Sequence, residues 1–300
     1  MSGEFGHGEP GPTIQVKQHT IVEKHFYWMP NTLEMFLAAL TAVQDFHVWM
    51  EKGFANPNEK VPLRREAEIT VYCHKELSFL LPALEKANIS RIVAKVDNPM
   101  SLDLRDFDLA VKFDSERAYD LVKVAEKHVT QAFGIIIGSD PLKATPDLSN
   151  CKFAEPKYDI LILPFPDQKQ LVDFLVNNHP ELETDYVDSA TLEDSATGAW
   201  ESIGKYRMVV GVRSGLTYLA ASLGKGVVEI YPPDIYRDWL SKWSCALYQM
   251  IYLEPEKASA SLVYRAVEAV WKRTVSHQAA QKVSTPTVPS IVDVESAASK

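Results

Sequence analysis

The sequence predicts an α/β fold of two domains, each built on a parallel sheet. Three observations point there. Apolar, β-prone segments alternate with helical ones along most of the chain, and a parallel strand pair needs such a crossover connection. A polar stretch from Gly138 to Lys157, holding three prolines, splits that alternation into two runs. The 300 residues amount to about two domains by length.

The elements follow in order. The first strand is expected within Ile14 to Glu23. Asn31 to Met50 reads as a helix: Leu33, Phe36, Leu37, Leu40 and Val43 recur at helical spacing, and Asn31 can cap its start. Ala67 to Cys73 reads as a strand, Lys75 to Ala87 as a helix and Ser90 to Val96 as a strand. Phe107 to Phe113 follows as a strand, Ser115 to His128 as a helix and Phe133 to Ile137 as a strand. Beyond the linker, Tyr158 to Leu163 is a strand, Gln168 to Asn177 a helix, Thr184 to Asp188 a short strand and Asp194 to Ile203 a helix. Met208 to Val212 and Val227 to Tyr231 are strands around a helix at Leu216 to Leu223, and Ala258 to Lys272 is the closing helix. The resulting layout is a disordered lead at 1–12, an N-terminal domain at 13–140, a linker at 141–157, a C-terminal domain at 158–278 and a disordered tail at 279–300. Lead and tail lack any amphipathic period.

Composition narrows the function classes. Hydrophobic residues make up 46% and charged residues 24%, an ordinary globular balance. The net charge of -9 argues against broad nucleic-acid affinity, which needs a basic surface, although a local basic cleft remains compatible with it. Cys73, Cys151 and Cys245 share no metal-ligand spacing, and their odd number suits free thiols in a reducing compartment. No apolar run approaches the ~20 residues of a membrane span. Residues 1–12 lack the apolar core of a signal peptide. A cytoplasmic location is expected.

The segment Met208 to Pro232 (MVVGVRSGLTYLAASLGKGVVEIYP) carries the chemistry. A β-rich strand ends at Gly211-Val212, the turn Arg213-Ser214-Gly215 follows, and a small-residue helix runs from Leu216 to a C-terminal glycine, Gly224. Gly215 lets the backbone approach a ligand and adopt a conformation closed to other residues. The helix start exposes unpaired N–H groups and the positive end of the dipole, which makes an anion site. Ser214 and Thr217 add hydroxyls, and Arg213 adds a full charge. The plain alternative is an ordinary tight βα turn.

The whole string resembles the family nine glycosyltransferases, the lipopolysaccharide heptosyltransferases. The matching residues are Val210, Gly211, Val212, Ser214, Gly215, Leu216, Thr217, Leu219, Ala220, Ala221, Leu223, Gly224 and Lys225. Looser likeness extends to Thr191-Leu192-Glu193, Tyr158 to Leu175, Ala67 to Ala94 and Phe107 to Phe113, so that residues 13 to 273 are covered. The resemblance implies two Rossmann-like domains facing a cleft (the GT-B arrangement), with a nucleotide-sugar donor on the C-terminal domain and an acceptor on the N-terminal one. It implies no cofactor beyond the donor and no obligatory metal. Donor contacts implied are Lys169, Glu193, Arg213, Ser214, Gly215, Leu216 and Thr217; Lys169 is alternatively a solvated loop lysine, and Glu193 a helix-cap neighbour.

Departures are as informative. Asn31 stands where the family's acceptor-side aspartate is implied, and a neutral amide takes no proton at pH 7. An enzyme would need another base, for which His25 and Glu23, near the expected end of the first strand, and Glu34, a turn into the first helix, are candidates. Arg213 and Tyr218 replace a family aspartate and histidine. Two readings result. One is an inverting, metal-independent glycosyltransferase whose acceptor is a glycan, a lipopolysaccharide or a modified nucleic-acid base. The other is a catalytically inactive relative that serves as a binding or scaffold protein. An epimerase-like relative is a third. The oligomeric state is left open.

Overall fold

The structure is a computed structural model, and it describes residues 20–52, 64–85, 90–125, 128–141, 143, 145–187, 202–232 and 247–284. The chain divides into two compact units at Lys152/Phe153.

In unit 1 the strands are β1 (Thr20–Trp28), β2 (Arg64–Tyr72), β3 (Ser90–Val96) and β4 (Leu109–Lys112), in the order β3-β2-β1-β4. All three pairings are parallel. From β1 the chain winds outward through β2 to β3, then returns to place β4 on the other side. The switch point therefore lies between β1 and β4. Such a point opens a crevice at the carboxyl ends of the strands. Helix α1 (Leu33–Lys52) is nearly wholly apolar along Met35–Val43 and buries that run. Its first bond joins the Phe36 amide to the Thr32 carbonyl at 2.8 Å, so Thr32, not Asn31, is the capping residue. Helix α2 spans Ser115–Ala125.

Four further expectations are corrected in this unit. The first strand, expected within Ile14 to Glu23, runs on to Trp28. The stretch expected as a strand at Phe133–Ile137 lies in a helix, α3 (Val129–Ile137). The His128 Nδ1 accepts the Thr130 amide at 3.1 Å at its start, Gly138 closes it at φ 85°, and the buried Val129, Ala132, Phe133 and Ile137 follow a helical period. Local β-propensity loses to tertiary burial here. Residues Lys75–Leu84 form a 3-10 helix that carries Pro82 internally, because proline removes an i→i−4 bond. Strand β4 is shorter than expected at both ends. The front of the linker stays on this unit: Gln44 bonds both the amide and the carbonyl of Asp147, and the Asn150 amide group donates to the Glu85 carbonyl.

Unit 2 holds β5 (Tyr158–Ile162), α4 (Gln168–Asn178), β6 (Thr184–Tyr186), β7 (Tyr206–Val212), α5 (Gly215–Ser222), β8 (Gly226–Tyr231), β9 (Tyr248–Tyr252) and α6 (Ala260–Ser284). The order β6-β5-β7-β8-β9 is again all parallel. Its switch point lies between β5 and β7. Ile160, Ile162, Met208, Val210, Val228 and Ile230 pack with α4 and α6 on one face. Strand β9 was not expected. Helix α6 continues past Lys272 into the residues read as tail, since no proline interrupts the sequence before Pro286. The helix expected at Asp194–Ile203 lies outside the described residues, save its last two positions. Among the described residues no helix is long and apolar enough to cross a membrane.

Candidate functional site

The turn between β7 and α5 sits at the switch point of unit 2. Ser214 is the cap of α5, and the capping is reciprocal. Thr217 Oγ1 accepts the Ser214 amide at 3.0 Å, and Ser214 Oγ accepts the Thr217 amide at 3.4 Å. These bonds consume the amides of Ser214 and Thr217, leaving the capping box no claim on those of Gly215 and Leu216. They lie in the first helical turn, where N–H groups have no intrahelical acceptor. Gly215 itself differs from expectation. Among the described residues the glycines with positive φ are Gly138 and Gly224, so Gly215 starts the helix in an ordinary conformation. No special dihedral is needed there. Gly224, at φ 67°, does close α5 as its position suggested.

Beneath the turn lies an acid. Glu229, in the centre of the apolar strand β8, is fully buried. The Thr217 hydroxyl is 2.6 Å from its Oε1 and 2.8 Å from the Ser214 carbonyl, and the Tyr248 hydroxyl donates to its Oε2 at 2.6 Å. Burial pushes the Glu229 carboxyl up; the two hydroxyl bonds and the charge of Arg213 oppose that. The Arg213 amide bonds the Ile230 carbonyl, and its guanidinium lies 5.3 Å from the Tyr231 ring centroid, a cation–π contact.

Across the switch point, β5 leads into α4. Gln168 is buried and donates to the carbonyls of Ile162 at 3.1 Å and Val187 at 2.7 Å, pinning the loop. Asp167 accepts the Ala260 amide at the start of α6. Lys169, the second residue of α4, is exposed.

Unit 1 has a cavity of about 560 Å³ at its own switch point, lined by Trp28, Asn31, Tyr72, Lys112, Asp114 and Glu116 among others. The Lys112 ammonium lies 4.9 Å from the Trp28 ring centroid. Asp114 caps α2, its Oδ1 accepting the amides of Glu116 at 2.9 Å and Arg117 at 3.2 Å.

Solved structures share this fold. Over 83% of this chain and 99% of the other, it superposes on the E. coli ADP-heptose LPS heptosyltransferase II with a TM-score of 0.55 and 12% identity. The E. coli heptosyltransferase WaaC with ADP gives 0.52 and 10%, covering 84% of this chain and 99% of that one. The chain has the fold of the heptosyltransferases. The iron-containing dodecameric glycosyltransferase TibC of enterotoxigenic E. coli H10407 gives 0.55 and 10%, over 87% and 81%. No family model matches the sequence, and no curated protein matches it.

On this heptosyltransferase fold the expected site residues separate. Arg213, Ser214, Gly215, Leu216 and Thr217 come together at one switch point, with Lys169 in the first turn of α4, the helix that follows the neighbouring strand β5. Glu193 lies outside the described residues. Asn31 lines the cavity of unit 1, whereas Glu34, in the first turn of α1, does not. His25 is inside β1 rather than near its end, and fully buried. Its Nδ1 is 3.0 Å from the Tyr27 hydroxyl and its Nε2 is 3.1 Å from Glu23, and the same hydroxyl lies 2.9 Å from Nε2 of the buried His47. Burial lowers His25 and brings His47 down to about 3. Buried this way, His25 has no surface on which to meet an acceptor. Two residues were not anticipated. Glu229 was readable as the lone acid in an apolar strand, and Asp114 as the acid just before a polar helix start. Among the described residues no group of three or more His, Cys, Asp or Glu is placed to hold a metal.

Proposed function

We propose that the protein is a glycosyltransferase that moves a sugar from a nucleotide-sugar donor to an acceptor hydroxyl. The observation that carries this reading is the neutral-capped helix start at the switch point of unit 2, on a heptosyltransferase fold. The donor diphosphate would sit on the Gly215 and Leu216 amides, at the positive end of α5. Arg213 and Lys169 would neutralise charge as the nucleoside diphosphate leaves, which is electrostatic stabilisation of the transition state. Ser214 and Thr217 hold the turn in shape. An acceptor hydroxyl attacks the anomeric carbon with inversion, the C–O bond to the diphosphate breaks, and the hydroxyl proton passes to a base. Asn31 cannot be that base, and buried His25 is poorly placed for it.

Isothermal titration against ADP-, UDP- and GDP-sugars tests the donor site, and nucleotide release in the presence of glycans tests turnover. Binding with turnover supports the transferase. Binding without turnover for any acceptor favours the non-catalytic relative, a reading motivated by the amide of Asn31. No binding by folded protein sinks the donor site.

A further inference from the structure

Resting on that donor reading, one residue extends it. A carboxyl group fully buried in the middle of a parallel strand is costly, by several kcal/mol before compensation, and β8 is otherwise apolar or aromatic (GVVEIY). Core packing alone would favour an aliphatic residue there. Glu229 instead spends both oxygens on hydroxyls at 2.6 Å, one from α5 and one from β9. The α5 partner, Thr217, is the residue that accepts the Ser214 amide. Alternation along β8 puts Glu229 and Tyr231 on the same face of the sheet, and the Arg213 guanidinium lies over the Tyr231 ring. The acid and the cation thus share one side of the turn.

We propose that Glu229 is a positioning residue for the phosphate turn: through the Thr217 hydroxyl it fixes the Ser214 amide, and its own charge sets how strongly the turn holds a diphosphate. The ionised carboxylate competes with a phosphate for the field of Arg213 and the helix end. The protonated one donates to Thr217, keeps the geometry and withdraws the competing charge. Binding of an anionic donor therefore takes up a proton at Glu229. The groups facing it are Arg213 from the turn, Thr217 from α5 and Tyr248 from β9, with Tyr231 beside it on β8. Burial already raises the Glu229 carboxyl, the direction that favours that proton uptake.

The test compares wild type, Glu229→Gln and Thr217→Val by titration with ADP-, UDP- and GDP-glucose between about pH 5.5 and 8.5. Their diphosphates are diesters with no titration of their own in that range. Glu229→Gln keeps the size and both hydrogen bonds and removes the charge. It is expected to bind about tenfold more tightly than wild type at high pH, with a flat pH profile. Wild type should tighten as pH falls toward the Gln variant's affinity. Thr217→Val, which cuts the link between Glu229 and the turn, should bind about tenfold more weakly. A Gln variant with wild-type affinity and wild-type pH profile overturns the assignment while leaving the donor site standing. A wild type that binds none of the three sugars overturns the donor reading and this assignment with it.

Discussion

The two units share one winding and differ in how they start the helix at the switch point. In unit 1, α2 begins with Asp114, whose carboxylate takes two backbone amides. In unit 2, α5 begins with Ser214, a neutral cap. A charged cap cancels the positive end of a helix, and a neutral cap leaves it available. The surroundings agree with the caps. The unit 1 cavity adds Glu116 and the Trp28 indole, with Lys112 over that indole as its counter-charge. The unit 2 turn adds Arg213. The same topology opens at both places, and the side chain at the helix cap, Asp114 in one and Ser214 in the other, sets the charge at each helix end.

The sharpest way to break this contrast is to give unit 2 the cap of unit 1. Ser214→Asp keeps the capping hydrogen bond, since Asp caps about as well as Ser, so the melting temperature should stay within a few degrees. Donor binding should fall about a hundredfold, because a carboxylate then sits within a few ångströms of the phosphate. A variant that binds ADP- or UDP-sugars as wild type does would show that the helix end is not the anion site.

Acid should separate the units next. His47 and His25 are buried neutral in unit 1, with folded values below the ordinary 6.5. The unfolded chain therefore binds more protons than the folded one below that pH, and stability is lost as pH falls through 6.5 toward about 3. For His47 alone the loss between pH 6.5 and 5 is about 2 kcal/mol. Glu229 in unit 2 runs the other way. Its raised value means the folded state holds the proton more tightly, so that contribution grows as pH falls and is lost as it rises. Hydrogen exchange at pH 7 and pH 5, corrected for intrinsic rates, should show β1 and α1 loosening while β7 and β8 hold. His47→Phe should flatten the response of unit 1, and an unchanged slope in that variant would place the acid sensitivity elsewhere.

The contrast also explains what was readable beforehand. Apolar runs gave away the unit 2 sheet most directly, because buried parallel strands are rich in Val, Ile and Leu; β1 and β2 of unit 1 carry charged residues, and the first was expected too early. Val210 to Thr217 gave away the turn, because a strand end, a Ser cap and a hydroxyl three residues on are local features. The FGIII run misled, since its helical state depends on the His128 cap and on burial among distant residues. A Cβ at Gly134 would clash with the Pro141 ring, a contact no local pattern announces. His25 seemed a candidate base because burial is invisible in a single sequence. Asp114 was legible as a local cap, since the amides it takes are two and three residues on; the role of Glu229 was not, because the Thr217 and Tyr248 hydroxyls meet it only once the strands are paired.

The smallest effect tests how far the charge of unit 2 reaches. Lys169 is exposed in the first turn of α4, which follows β5, the other strand of the switch point. Exposed charges interact by about 0–1 kcal/mol, and salt screens them beyond roughly 8 Å at physiological ionic strength. Lys169→Ala should therefore weaken donor binding about threefold in low salt and hardly at all near 0.5 M, where the Debye length is shorter still. Arg213→Ala should lose more, and keep most of that loss in high salt, because its guanidinium packs on Tyr231 within the turn. Titration of both variants at two salt concentrations separates the cases. Should Lys169→Ala lose more than tenfold and stay salt-insensitive, the lysine must touch the phosphate directly. The anion site would then span both strands of the switch point instead of resting on α5 alone.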